Sequence, residues 1–178
     1  MTIVKSPANQ DTIRVTLLPS KDSVRNFSCG EREIDHWVSR QAVKWTSQNR
    51  TKVFVACNAG NELAVGFYSL SFSSEEASKL EAANDRDIWH DGVPLIYIGY
   101  LGVRRELQGN GFGTFLLLDA LKRAHHVSQH VAFYGVGLRS LNDKTTELYS
   151  KFGFGIAKDE DRHPLMILPI WTLNDLFN

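Results

Sequence analysis

The sequence has little that would tie it to a membrane, a metal or an oxidising compartment. Its two cysteines, Cys29 and Cys57, cannot build a disulfide framework, and no Cys/His group has zinc spacing. No run approaches the roughly 18 apolar residues of a membrane span. The opening MTIVKSPANQDTIR lacks the apolar centre of a signal peptide. Charge of one sign is also missing: 20 basic and 20 acidic residues cancel, so no global field argues for a polyanion or an anionic membrane. Repeats, low-complexity tracts and dividing linkers are absent as well. What is present is ordinary globular composition, 43% hydrophobic and 22% charged over 178 residues, enough chain to bury about 70% of its unfolded surface. The expectation is one metal-free, cytoplasmic domain over residues 1–178, with 1–12 as a loose arm.

Ile13 to Leu18 has strand composition and ends at Pro19. Ser28-Cys29-Gly30-Glu31 has the spacing of a capping box, and the residues after it predict a helix with Ile34, Trp37, Val38, Ala42 and Trp45 on one face. Its other face carries Arg40 and Lys44, followed by Arg50 and Lys52, with no acid between His36 and Ala56. With Arg104 and Arg105, these residues are either a face for RNA phosphates or a solvated basic surface. Val53–Cys57 and Leu63–Ser71 predict a hairpin across Asn58–Asn61. Residues 74–91 are acid-rich and predict a short helix and a loop. Pro94 opens LIYIGYLGV, which predicts a strand buried on both faces. A helix over Phe112–Ser128 and a strand over Val131–Leu138 follow. Asn142 or Asp143 caps a helix that runs through Tyr149 and ends at Gly153. Short strands at 155–157 and 165–168 and a small helix close the chain. The class is α/β (α+β), a mixed sheet with helices on both faces.

The sharpest element is Gln108-Gly109-Asn110-Gly111-Phe112-Gly113, between a buried strand and a long helix. Glycines there let successive N–H groups face one point at the positive end of a helix dipole, a cradle suited to a pyrophosphate. The spacing is G-x-G-x-G, not the G-x-G-x-x-G of a dinucleotide fold, and no Gly-Lys-Ser/Thr makes it a Walker loop. A tight turn with no ligand is the remaining alternative.

Leu101-Gly102-Val103 followed by Gln108-x-x-Gly111-x-Gly113 resembles motif A of the GNAT acyl-CoA N-acyltransferases. Asn142, Tyr149 and the following Gly153-Phe154 resemble the second half of that fold; together the motifs cover about half the chain. Phe27-x-Cys29-Gly30, Gly99-Tyr100-Leu101-Gly102-Val103 and Leu168-Pro169-Ile170 resemble its toxin-type branch. The resemblance implies a mostly antiparallel sheet of six to seven strands, with a V-shaped splay between the fourth and fifth. It implies acetyl-CoA as cosubstrate, with Leu101, Gly102 and Val103 along the pantetheine. Gly109, Asn110, Gly111, Phe112, Gly113 and Thr114 would lie under the pyrophosphate, Gln108 would brace the turn, and Asn142 would contact the cofactor arm.

Tyr149 matches the position of the general acid, and a phenol near pKa 10 keeps its proton at neutral pH. No residue stands out as a general base, and no metal is expected. For the branch, the implied acceptor is the α-amine of aminoacyl-tRNA, with Arg40, Lys44 and Tyr100 as candidate contacts; Tyr100 stands where arginine is common. A ribbon-helix-helix antitoxin and a homodimer are the implied partners, and no membrane. The alternatives are acetylation of a small-molecule amine or a protein N-terminus, and a non-catalytic acyl-CoA-binding module.

Overall fold

The computed structural model describes residues 13–80, 92–157 and 161–178; the expected arm and most of the acid-rich segment lie outside them. The strands are β1 (Ile13–Leu17), β2 (Lys52–Asn58), β3 (Ala64–Glu75), β4 (Val93–Val103), β5 (Gly135–Arg139), β6 (Gly155–Ile156) and β7 (Leu165–Pro169). The helices are α1 (Arg32–Arg40), α2 (Ala42–Ser47), α3 (Phe112–Ser128), α4 (Asp143–Ser150) and α5 (Ile170–Phe177). The strands form a seven-stranded sheet of order β1-β2-β3-β4-β5-β7-β6. The β4–β5 pair is parallel, whereas β1–β2, β2–β3, β5–β7 and β6–β7 are antiparallel. The expected class and strand number hold. The parallel ladder runs from Leu95↔Gly135 to Ile98↔Leu138, yet β4 continues to Val103. Its last five residues therefore lie beyond that ladder.

Contacts divide the chain into two units, Met1–Leu70 with Tyr100–Ala120 and Ser71–Gly99 with Leu121–Asn178. In the first, side chains alternate across the strands. A Cβ at Gly102 would meet Phe67, Ile34 and Phe27 at 3.1–3.4 Å, while Gly113 faces Val103 and Gly66 faces Leu116. So α1 covers one face and α3 the other. The α1 side holds Val24, Phe27, Trp37, Val38, Ala42, Val53, Val55 and Phe67. In the second unit Val93, Leu95, Tyr134, Leu165 and Ile167 form the core. Gly135 lets β5 and β7 meet, since a Cβ there would sit 2.3 Å from the Leu168 carbonyl.

Three local expectations need correction. The single helix after residue 31 is two, broken at Gln41 (φ −120°, ψ −26°). Eight residues along a continuous helix would hold Trp37 and Trp45 about 12 Å apart; the break brings their rings edge to face at 5.8 Å. The Ser28–Glu31 capping box does not form. Glu31 itself is the N-cap, with no side-chain cap bond. Ser28 Oγ and the Cys29 N–H instead donate to the two carboxylate oxygens of Asp35, each at 2.7 Å. The fifth strand begins at Gly135 rather than Val131, because the Val131 N–H still donates to Val127 at the end of α3. Asn142 caps α4 as expected: its side chain accepts from the Thr145 N–H, and Thr145 Oγ1 accepts from the Asn142 N–H. Gly153 takes the left-handed φ of +94°.

Candidate active site

In the first unit, β4 delivers the chain to the glycine turn. The Arg104 N–H donates to Val65 at 2.9 Å. By strand alternation the N–H of Val103 faces away from β3. The Val103 carbonyl accepts from Gln108 Nε2 at 3.0 Å, and the same nitrogen donates to the Cys29 carbonyl at 2.8 Å. Gln108 thus braces the turn as expected, and the Val103 N–H is turned away from β3. Gly109 and Gly111 both take left-handed backbone, φ +79° and +84°, which a Cβ disfavours. Asn110 holds the turn from within by donating to the carbonyls of Leu107 and Gln108. The first helical bond of α3 is Phe115 N–H to Gly111 at 3.0 Å, so the amides of Phe112, Gly113 and Thr114 have no intrahelical acceptor. A Cβ at Gly109 would meet nothing within 4 Å. The turn is an open cradle of N–H groups at a helix start, suited to an anion.

Gly102 belongs to the packing rather than to the cradle, since its missing side chain admits Phe67, Ile34 and Phe27. Leu101 is half-buried on the opposite side of β4. Tyr100 lies on the α1 face, its ring stacked on Trp37 at 4.1 Å and 15°, its N–H donating to Ser69 Oγ. Burial, then the charge of Glu33, raises its phenol above the ordinary value. Arg40 and Lys44 are exposed, at the end of α1 and within α2. Arg50 lies 4.6 Å over the Trp45 ring. Arg104 does not join them. Its guanidinium donates to the carbonyls of Ala64, Asn26 and Arg25 and sits over Phe27, so it is committed to the fold.

In the second unit, α4 places Tyr149 one residue before its end. The side chain is 8% exposed, its ring 5.9 Å from Phe154, and burial pushes the phenol up to about 12. Among the described residues its hydroxyl has no hydrogen-bond partner. Burial thus favours the neutral phenol over the phenolate. Asn142 is exposed; its side-chain oxygen is spent on the α4 cap, which leaves only its Nδ2 to donate outward. An apolar cavity of about 250 Å³ in this unit is lined by Leu80, Tyr134, Ile156, Ile167 and Trp171 among others; none of the sequence-derived candidates borders it. Sequence reasoning missed Asp35, whose carboxylate organises residues 28–29. Its i+7 offset from Ser28 matches no helix-cap pattern, so only the folded loop shows it. Cys29 is buried, and burial pushes its thiol up to about 12, which favours the thiol over the thiolate. No group of three or more metal-ligating side chains exists among the described residues.

The profile of the acetyltransferase (GNAT) family matches residues 22–154. A tRNA-acetylating toxin of Mycobacterium tuberculosis (strain ATCC 25618 / H37Rv) is 29% identical over 147 residues, 83% of this chain and 87% of that protein. Two solved structures share the fold. One is the toxin AtaT complexed with acetyl-methionyl-tRNAfMet, at TM-score 0.81 and 22% identity, covering 93% of this chain and 99% of that one. The other is a mutant of AtaT bound to the C-terminus of the antitoxin AtaR and acetyl-CoA, at TM-score 0.77 and 23% identity, covering 94% and 99%.

Proposed function

Because the chain belongs to the acetyltransferase (GNAT) family, we propose that it moves an acetyl group from acetyl-CoA to the α-amine of an aminoacyl-tRNA. The observation that carries the reading is the glycine turn: two left-handed glycines just before α3 and three amides without helical acceptors at its start. These fit a pyrophosphate, and no metal is needed to hold it. Acetyl-CoA, when bound, supplies an activated thioester. The backbone of Leu101 and Val103 extends beyond the β5 ladder and offers edge groups to a pantetheine chain. The Val103 N–H, turned away from β3, polarises the thioester carbonyl. Asn142 Nδ2 donates to the cofactor arm.

The amine attacks the carbonyl carbon, the C–S bond breaks, and Tyr149 gives its phenolic proton to the departing sulfur. Burial keeps the phenol protonated and also makes it a weaker acid, so its proton passes as negative charge builds on the departing sulfur. No base is required of the protein: an α-amine titrates at about 7.7–8.0 against about 10.4 for lysine, so part of it is neutral at working pH and solvent takes the last proton. That arithmetic, with the tRNA-acetylating relative, favours aminoacyl-tRNA over polyamines and lysine side chains. Exposed Arg40 and Lys44 would meet RNA phosphates, and Tyr100 would border the acceptor. The acceptor places the reaction in the cytoplasm. By analogy with the toxin–antitoxin neighbour, the partner is an antitoxin; that it is of ribbon-helix-helix type and that the working form is a homodimer come from the toxin-type resemblance alone.

The test is transfer of labelled acetyl from acetyl-CoA to total charged tRNA, with deacylated tRNA and a panel of small amines in parallel. Label on charged tRNA alone, lost in Tyr149→Phe, is the expected result. Label on small amines with none on tRNA would overturn the tRNA acceptor and leave a metabolite acetyltransferase. Binding of acetyl-CoA without transfer to anything would leave only a binding module.

A further inference from the structure

The segment from Arg25 to Gly30 is tied to the cofactor turn by a set of bonds that nothing in the acyl-transfer chemistry calls for. Two carbonyls, of Asn26 and Arg25, accept from Arg104 at 3.0 and 3.2 Å. The Ser28 carbonyl accepts the Arg105 N–H at 3.0 Å. The Cys29 carbonyl accepts Gln108 Nε2 at 2.8 Å, the same nitrogen that reaches back to Val103. The underside of the turn is therefore built on a neighbouring loop and not on its own residues alone. That loop is in turn held from α1: Asp35 takes Ser28 Oγ on one carboxylate oxygen and the Cys29 N–H on the other. Gly30, at φ +91°, turns the chain back into the helix, with the Arg105 side chain 3.7 Å from where a Cβ would stand.

We propose that Asp35 is a positioning residue for the pyrophosphate cradle, acting through Cys29 and Gln108 on Gly109 to Thr114. The inference rests on the acetyl-CoA reading above and adds a residue outside both sequence motifs. Its logic is that of a chain of fixed groups. Asp35 fixes Cys29 by its N–H, and the carbonyl of the same residue, in the next peptide group, fixes the Gln108 amide. Gln108 ties the start of the turn to Cys29 and Val103 and so sets the direction of the amides that follow. A donor aimed even slightly wrong loses much of a charge-assisted hydrogen bond. The carboxylate itself is well suited to the task. Burial works against its charge, yet the bonds from Cys29 and Ser28 hold it below the usual carboxylate range, so it stays an acceptor wherever the enzyme works. The loop of Phe27 to Gly30, read from sequence as a helix entry, becomes a foundation for the cofactor site.

The experiment compares the wild type, Asp35→Ala, Asp35→Asn and Asp35→Glu in the full chain, with acetyl-CoA and with S-acetylpantetheine, which carries the same thioester but no pyrophosphate. Asp35→Ala is expected to raise KM and Kd for acetyl-CoA by about tenfold. The kcat at saturating acetyl-CoA and the acceptor KM should stay within about twofold. The kcat/KM for S-acetylpantetheine should not change, which a loss of general structure would not reproduce. Asp35→Asn, which keeps one acceptor oxygen, should fall between the two, and Asp35→Glu should restore part of the affinity. Gly30→Ala, in which a strained φ disturbs the same loop from the backbone, should follow Asp35→Ala and covers the case in which that variant fails to fold. Equal losses with both donors, or an unchanged acetyl-CoA KM in a folded Asp35→Ala, would overturn the proposal. A wild type that binds neither donor would instead overturn the acetyl-CoA reading on which it stands.

Discussion

The glycine turn and the end of α4 solve opposite problems. Residues 103–114 expose backbone: left-handed Gly109 and Gly111, amides with no helical acceptor, and side chains of Gln108 and Asn110 spent on holding the loop. Around Tyr149 the side chain is buried at 8% exposure and its hydroxyl has no partner among the described residues. An anion site is made by many weak donors fixed in place, and side-chain identity matters there mainly for what it does to φ and ψ. A proton donor is one group whose surroundings set its pKa. Binding should therefore be damaged by backbone changes in the turn and chemistry by one side-chain atom in α4, with little crossover.

The hardest test of that division is Tyr149→Phe. Removing one buried oxygen leaves packing with Phe154 intact, so the folded protein should bind acetyl-CoA within about twofold of wild type. Loss of general acid catalysis should lower kcat by about 10²–10⁴. Single-turnover transfer and calorimetric binding on the same sample separate the two. A comparable loss of affinity would erase the contrast.

Next is alkaline stability. Tyr149 would ionise near 10 in the unfolded chain but near 12 when folded. The unfolded chain loses its proton first, so stability falls as pH rises from 10 towards 12 and is undiminished by this residue below 10. The two-unit shift corresponds to about 2–3 kcal/mol. Cys29, raised from 9.0 to about 12, declines over an overlapping range. Denaturant unfolding of wild type and Tyr149→Phe at pH 8 and pH 11 isolates the tyrosine: the wild type should lose stability relative to Tyr149→Phe on going from pH 8 to pH 11. A gap that is constant with pH would mean that the phenol is not desolvated.

Gly111→Ala probes the other region. A Cβ at φ +84° costs about 1–2 kcal/mol of local strain. The turn should relax by re-aiming its amides. The expected signature is a KM for acetyl-CoA raised about tenfold with kcat nearly unchanged, the reverse of the tyrosine variant. Steady-state kinetics at varied acetyl-CoA reads it directly.

Much of this was legible because local chemistry and tertiary structure agree. Gln108 to Gly113 announces a turn that no other residues could make, α3 starts and stops where its pattern says, and Asn142 with Gly153 brackets α4. The failures have a common physical cause. The helix break at Gln41 is driven by Trp45 folding back on Trp37, a tertiary gain that periodicity does not register. Ser28 and Glu31 have the spacing of a capping box, but Asp35 offers Ser28 a charged acceptor that wins. Arg104 resembles a phosphate contact in sequence, yet three carbonyls claim it. In each case a partner distant in sequence decided the outcome.

The smallest effect falls on Asn142, where the two regions' principles meet in one residue. Its Oδ1 caps α4 by accepting the Thr145 N–H, and Thr145 Oγ1 returns the bond. Its Nδ2 remains to donate outward. Asn142→Asp keeps the cap oxygen, adds charge favourable to a helix N-terminus, and removes only the donor. Asn142→Ala removes both. Thermal or denaturant unfolding should show Asn142→Ala down by about 1 kcal/mol and Asn142→Asp unchanged or slightly more stable. If Nδ2 touches the cofactor arm, both variants should raise the acetyl-CoA KM modestly, Asn142→Asp by more because its carboxylate repels an anionic ligand. A KM that follows stability instead, raised in Asn142→Ala alone, would reduce Asn142 to a helix cap and leave the glycine turn as the binding half by itself.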